Sequence, residues 1–145
     1  MPSRSRFAAQ RGFSLIELMI TVAIIAILAS IAMVSYNWVM IKARRSAAAG
    51  CLQEAAQYME RFHTTNMSYL SAAGAAPTLP ACSTDVSNFY TVSLAASTAT
   101  SFSITAVPIS GKAQARDTEC ATLTIDQRGV RSASGSLSST PAKCW

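Results

Sequence analysis

Gly12-Phe13-Ser14-Leu15-Ile16-Glu17-Leu18-Met19-Ile20 opens an apolar run that ends at Ile41, and its reading decides the fold. The 29 residues from Phe13 to Ile41 include no Pro or Gly, and Glu17 is the only side chain among them that is charged at neutral pH. As a helix rising 1.5 Å per residue, the run reaches roughly 40 Å, more than the ~30 Å hydrocarbon core of a bilayer. A charge at depth in that core costs about 2.5–3.5 kcal/mol on insertion scales. Glu17 is therefore a functional candidate by default.

Upstream, residues 1–12 are short, polar and basic, with Arg4, Arg6 and Arg11. They read as a processing leader, and a cut after Gly12 would leave the apolar run in the mature chain. Downstream, Tyr36 and Trp38 suit the aromatic belt at a membrane interface. Ala23, Ala26, Ala29 and Ser30 form a small-residue face that permits close approach of another helix. No helix breaker intervenes before Gly50, and Leu52, Ala55, Met59 and Phe62 then recur at spacings of three and four. The same helix is expected to continue with that stripe against a domain and Glu54, Glu60 and Arg61 outward, about 50 residues in all, or close to 75 Å.

Ser71–Pro80, rich in Ala, Gly and Pro, reads as a loop. Period-two alternation predicts strands over Phe89–Ala96, Phe102–Ile109 and Cys120–Asp126, with turns near 96–100 and 110–117. Asp126-Gln127-Arg128-Gly129 is a further turn that returns the chain as a fourth strand from Val130. The expected class is α+β: a long N-terminal helix, apolar then amphipathic, packed on an antiparallel sheet of three to four strands. The domains follow as 1–12 leader, 13–41 transmembrane helix and 42–145 globular domain.

Half of the residues are hydrophobic and 13% are charged, which excludes a disordered chain. Cys51, Cys82, Cys120 and Cys144 all follow the apolar run, and an even count suggests two disulfides in an oxidising compartment. Zinc is the competing reading, but no pair has knuckle spacing and His63 is the single histidine. Of the possible connectivities, Cys51 with Cys82 and Cys120 with Cys144 is favoured because each closes a local segment, contributing about 3–4 kcal/mol per loop. Three Arg precede the run and three cations, Lys42, Arg44 and Arg45, follow it, so charge alone leaves orientation open. Oxidised cysteines place the C-terminal domain outside the cytoplasm and residues 1–12 inside.

The net charge of +5 dissolves when it is located. Beyond the flanking cations, Arg61, Lys112, Arg116, Arg128, Arg131 and Lys143 stand against Glu54, Glu60, Asp85, Asp117, Glu119 and Asp126. Overall neutrality argues little for a nucleic-acid partner and leaves room for a local basic patch.

The leader ending in Gly12, the opening Phe13-Ser14-Leu15-Ile16-Glu17-Leu18 and the cysteine-bearing sheet region together resemble a type IV prepilin. Tyr58-Met59-Glu60-Arg61-Phe62, Leu79-Pro80-Ala81-Cys82, Asn88-Phe89-Tyr90, Leu123-Thr124-Ile125-Asp126-Gln127 and Cys144-Trp145 are similar to the PilE/ComP group of pilins and minor pilins. The resemblance implies cleavage between Gly12 and Phe13 by prepilin peptidase, N-methylation of Phe13, and no cofactor. It implies a subunit held in the inner membrane with its N-terminus cytoplasmic, in contact with lipid. Pilus assembly machinery would then extract it into an extracellular filament of pilin subunits serving twitching motility, adhesion or DNA uptake. Cleavage also creates an ammonium on Phe13, which the Glu17 carboxylate of a neighbour, or of the same helix four residues on, can pair with. Ala26 and Val34 stand where major pilins often carry Gly and Pro, so the helix has no built-in break and a minor subunit is expected.

Two alternatives accompany this reading. A DNA-uptake receptor would contact phosphates through Lys112, Arg116, Arg128, Arg131 and Lys143. A type II secretion pseudopilin shares the N-terminal features, but Asp117, Glu119 and Asp126 are too dispersed for the calcium loop such proteins often use. His63 lacks a Cys or Ser-acid framework, so the chain reads as an enzyme's substrate and not as an enzyme.

Overall fold

The computed structural model describes residues 12–145, so the expected leader, apart from Gly12, lies outside the described residues. The chain divides into two compact units, one ending at Asn37 and one covering Trp38–Trp145.

Helix α1 covers Leu15–Asn66 and is continuous through Ala26 and Val34. Its start is set by Ser14, whose Oγ accepts the Glu17 backbone N–H at 3.3 Å, a side-chain cap that places an acidic residue in the first turn, where the helix dipole favours it. The large apolar side chains from Phe13 to Val39 are exposed, and α1 is long and apolar enough to cross a membrane. The hydroxyls of Thr21 and Ser30 donate back to the Leu18 and Ile27 carbonyls at 2.9 and 2.7 Å, so they need no water. The helix ends where Met67 takes a φ of 54° and donates its N–H to the His63 carbonyl at 2.7 Å, a left-handed cap more often made by Gly.

In the second unit α1 buries Ile41, Arg45, Ala48, Ala49, Leu52, Ala55 and Met59, a stripe at helical spacing. Its alanines let the sheet come close. That sheet is an antiparallel meander ordered β1-β2-β3-β4, from Tyr90–Ser97, Phe102–Pro108, Leu123–Asp126 and Arg131–Ala133. The register pairs Val92 with Ala106, Ile104 with Ile125 and Leu123 with Ala133. Tyr90, Phe102, Ile104, Ala106, Leu123, Ile125 and Ala133 are buried and form one core with the α1 stripe. A short helix α2, Thr84–Ser87, precedes β1, and Val86 joins the core from it.

The third strand is shorter than the alternation predicts. Cys120–Thr122 is not strand, because Ala121 adopts a φ of 46° and its N–H turns back to the Asp117 carbonyl at 2.9 Å. The return after Asp126 does form β4, through a turn with Gly129 at a φ of 70°. The polar tail is also more integrated than its composition suggests. Ser134, Ser136 and Leu137 donate backbone N–H groups to the Thr122, Thr118 and Glu119 carbonyls at 3.0, 3.1 and 2.8 Å. Gly135 permits that approach, since a Cβ there would be driven into the Glu119 carbonyl. Disulfides join Cys51 to Cys82 and Cys120 to Cys144. The first ties α1 to the loop before α2, and the second ties the tail to the segment before β3.

Candidate functional site

At the N-terminal end, Gly12 and Phe13 precede α1 and are exposed. Glu17 is exposed in the first turn and enters no ion pair among the described residues.

In the second unit, the site is organised by one of the three cations that directly follow the apolar run. Arg45 is buried, and its Nε and Nη2 donate to the two carboxylate oxygens of Asp117 at 2.7 Å each. Gln114 Nε2 donates to Asp117 Oδ2 at 3.3 Å and to the Ile41 carbonyl at 3.2 Å, while the Cys120 N–H donates to Asp117 Oδ1 at 3.3 Å. This network fixes the β2–β3 connection on α1. Its 3-10 turn, Ala113–Arg116, carries Lys112 and Arg116 outward on either side of the buried Gln114. The signal was present in the sequence: Arg45 lies seven residues before Leu52, on the same helical face.

The remaining basic candidates fall at the β3–β4 hairpin and the tail. Arg128 is exposed and bound to Asp126, Nη2 to Oδ2 at 3.0 Å. Partial burial works to raise the Asp126 carboxyl, but the Val130 N–H and the Arg128 side chain and N–H outweigh it and hold the group below its ordinary value. Arg131, on β4, sets its guanidinium 5.5 Å from the centroid of the Trp145 ring. Trp145 Nε1 donates to the Ser132 carbonyl at 3.1 Å, and Cys144 beside it is held by Cys120. Lys143 and Trp145 line one pocket with Lys42, a cation that was not among the binding candidates. Lys112, Arg116, Arg131 and Lys143 enter no ion pair among the described residues.

Comparison with known families adds the decisive observation: the family described as "Type IV minor pilin ComP, DNA uptake sequence receptor" matches residues 34–124. This chain belongs to that family. The prokaryotic N-terminal methylation motif matches residues 7–33 of the same minor pilin. A search of the curated proteins found no match. Among solved structures, the crystal structure of the Neisseria meningitidis non-core minor pilin PilV is similar, with 20% identity and a TM-score of 0.49 over 66% of this chain and 88% of that one.

The matched region of the minor pilin includes Arg45, Lys112, Arg116 and Asp117, whereas Arg128, Arg131, Lys143 and Trp145 lie beyond it. A groove of about 680 Å³ runs between α1 and the β3–β4 hairpin, lined by Glu54, Glu60, Arg61, Asp126 and Arg131 among others. Its charges are mixed, so it does not by itself form a phosphate track. His63 stacks on Tyr69 with ring centroids 4.4 Å apart, a structural contact at the end of α1. The Tyr69 hydroxyl donates to Glu60 at 2.9 Å; burial first, then that bond and the Glu60 charge, push its phenol up to about 12.

Proposed function

We propose that this minor pilin is made as a prepilin and held in the inner membrane by residues 13–41. Residues 1–12 form a cytoplasmic leader, and 42–145 a periplasmic domain. Prepilin peptidase cleaves between Gly12 and Phe13, Phe13 is N-methylated, and Glu17 pairs with a terminal ammonium as the assembly machinery adds the subunit to an extracellular filament of pilins. The methylation motif over 7–33 and the apolar character of α1 support this course. The family match favours a pilin over a type II secretion pseudopilin.

We further propose that the domain binds duplex DNA during uptake. The observation that carries this reading is the segregation of charge. Asp117 is taken up inside the domain by Arg45, a cation outside the six-against-six count, so the basic side chains of that count exceed the remaining acidic ones by one; the Asp126–Arg128 pair removes one of each. Lys112 and Arg116 on the β2–β3 connection, and Arg131 and Lys143 beside Trp145, are left with exposed, unneutralised charge among the described residues. Arg128 joins them as a shared cation. Phosphate contacts of this kind release counterions, so affinity should fall steeply with salt.

The test is titration of the full chain in detergent with duplexes of different sequence over a range of salt. Binding whose logarithm falls linearly with the logarithm of salt is expected. The joint Lys112→Ala and Arg116→Ala variant should have a shallower slope, by about 1–2 charges. A chain that binds no duplex at low salt ends the DNA reading and leaves the filament reading standing.

A further inference from the structure

The second unit begins with an α1 segment that crosses from apolar to charged sequence within one turn. Trp38 is followed four residues later by Lys42, about 6 Å along the axis. Beside Lys42 lies a pocket of about 210 Å³, walled by Lys42, Arg45, Ser46, Lys143, Cys144 and Trp145. Arg45 faces Asp117 and, at 3.9 Å, Glu119, so among the pocket's side chains the cations left over are Lys42 and Lys143, both exposed and without an ion-pair partner among the described residues. Lys143 is a positioned cation: it closes the 3-10 turn Pro141–Lys143, next to the disulfide-bound Cys144. Trp145, another wall residue, spends its one side-chain donor on the Ser132 carbonyl, and the Arg131 guanidinium lies 5.5 Å from its ring centroid.

The residues that line this small cavity carry two ammonium groups, a hydroxyl and an indole, a set whose chemistry complements a phosphodiester with an apolar attachment. The volume is below the roughly 300–1,000 Å³ of pockets that take drug-sized ligands, and it suits a single headgroup. The location selects the source of that phosphate. If the apolar run spans the bilayer, Trp38 lies in the interfacial belt and Lys42 one turn further, at headgroup level.

We propose that this pocket holds the headgroup of an anionic phospholipid while the subunit resides in the membrane. The proposal rests on the membrane-spanning reading of residues 13–41 and is independent of DNA binding. The bound lipid fixes the domain against the membrane surface, and extraction into a filament empties the pocket.

The experiment uses the full chain in nanodiscs of phosphatidylcholine mixed with phosphatidylglycerol, followed by native mass spectrometry of the lipid that stays bound. Selective retention of phosphatidylglycerol is expected. The joint Lys42→Gln and Lys143→Gln variant should lower it roughly tenfold or more. The joint Arg61→Gln and Lys112→Gln variant, which removes the same charge outside the pocket, should retain it. Equal retention of the two lipids, or equal loss in the two variants, overturns the proposal. So does capture of inorganic phosphate by the lysines without any lipid preference. A chain that fails to enter nanodiscs overturns the spanning reading and this proposal with it, an outcome distinct from a chain that enters but does not select lipid.

Discussion

Arg45 and Asp117 lie 72 positions apart in the chain and meet inside the domain through two hydrogen bonds of 2.7 Å, with 6% and 0% of their side-chain surfaces exposed. Asp117 also accepts bonds from Gln114 and the Cys120 N–H, so the carboxylate is well satisfied. Breaking such a pair strands a buried charge, whereas replacing both partners does not. Arg45→Met or Asp117→Leu alone should destabilise the domain by about 3–5 kcal/mol, while the two together should come within roughly 2 kcal/mol of the native chain. Denaturant unfolding of the three variants checks this, and additive losses in the double variant would contradict it.

Two glycines should respond in opposite directions to the same substitution. Gly135→Ala drives a Cβ into the Glu119 and Thr118 carbonyls, backbone that cannot swing aside. A loss of about 1–3 kcal/mol is expected, with the tail released first. Gly50 is in the interior of α1 with open space around it, so Gly50→Ala should stabilise by up to about 1 kcal/mol. Thermal melts of the two variants side by side decide the matter.

High pH should unfold this domain through its tyrosines. Burial first and the Asp117 charge second push the Tyr90 phenol up to about 12, against a smaller opposing pull from the Gln114 side chain and Arg45. A group whose folded value is raised contributes stability that is complete below its unfolded value of about 10 and is lost as pH climbs through the folded value. Stability should therefore decline between about pH 10 and 12, in step with tyrosinate absorbance. The Tyr90 hydroxyl lies near the Gln114 side chain but makes no hydrogen bond of ordinary geometry among the described residues, so Tyr90→Phe should keep neutral-pH stability and flatten the alkaline decline. An unchanged alkaline profile in that variant would count against the assignment.

Glu17 has a local role as well as a proposed partner, and the two separate cleanly. Its backbone N–H is capped by Ser14, and Gln serves as well as Glu at this third helical position of a capping box. Glu17→Gln keeps the helix start and removes the charge. If the charge pairs with a terminal ammonium, Glu17→Gln and Glu17→Val should both be cleaved normally and both fail to enter filaments. Incorporation of the Gln variant at native levels in sheared pili would reduce Glu17 to a helix-starting residue.

The elements governed by periodicity were legible in the sequence. Leu52, Ala55 and Met59 at helical spacing, and Phe102, Ile104 and Ala106 at spacing two, occupy the buried faces their patterns require. What escaped depends on long-range partners. Arg45 is an ordinary flanking cation until Asp117 is brought beside it, and Ala121 carries no local mark of its left-handed turn. Likewise, a tail of Ser and Thr reads as loose because its anchors are backbone groups of residues 118–122. The spatial grouping of the basic candidates is not visible in the sequence, because Trp145, which lies between Arg131 and the Lys143 pocket, is placed by a disulfide at its neighbour Cys144.

The Cys120–Cys144 bond carries a last consequence, one of timing. It holds the chain end that places Trp145 beside Arg131 and Lys143 beside Lys42. In a reducing cytoplasm that end would be untethered, and neither arrangement would be complete. On the proposed topology and DNA reading, the part of the basic surface built by Arg131, Lys143 and Trp145 would form only once the domain reaches an oxidising compartment, whereas Lys112 and Arg116, held by the Arg45–Asp117 network, would not wait for the disulfide.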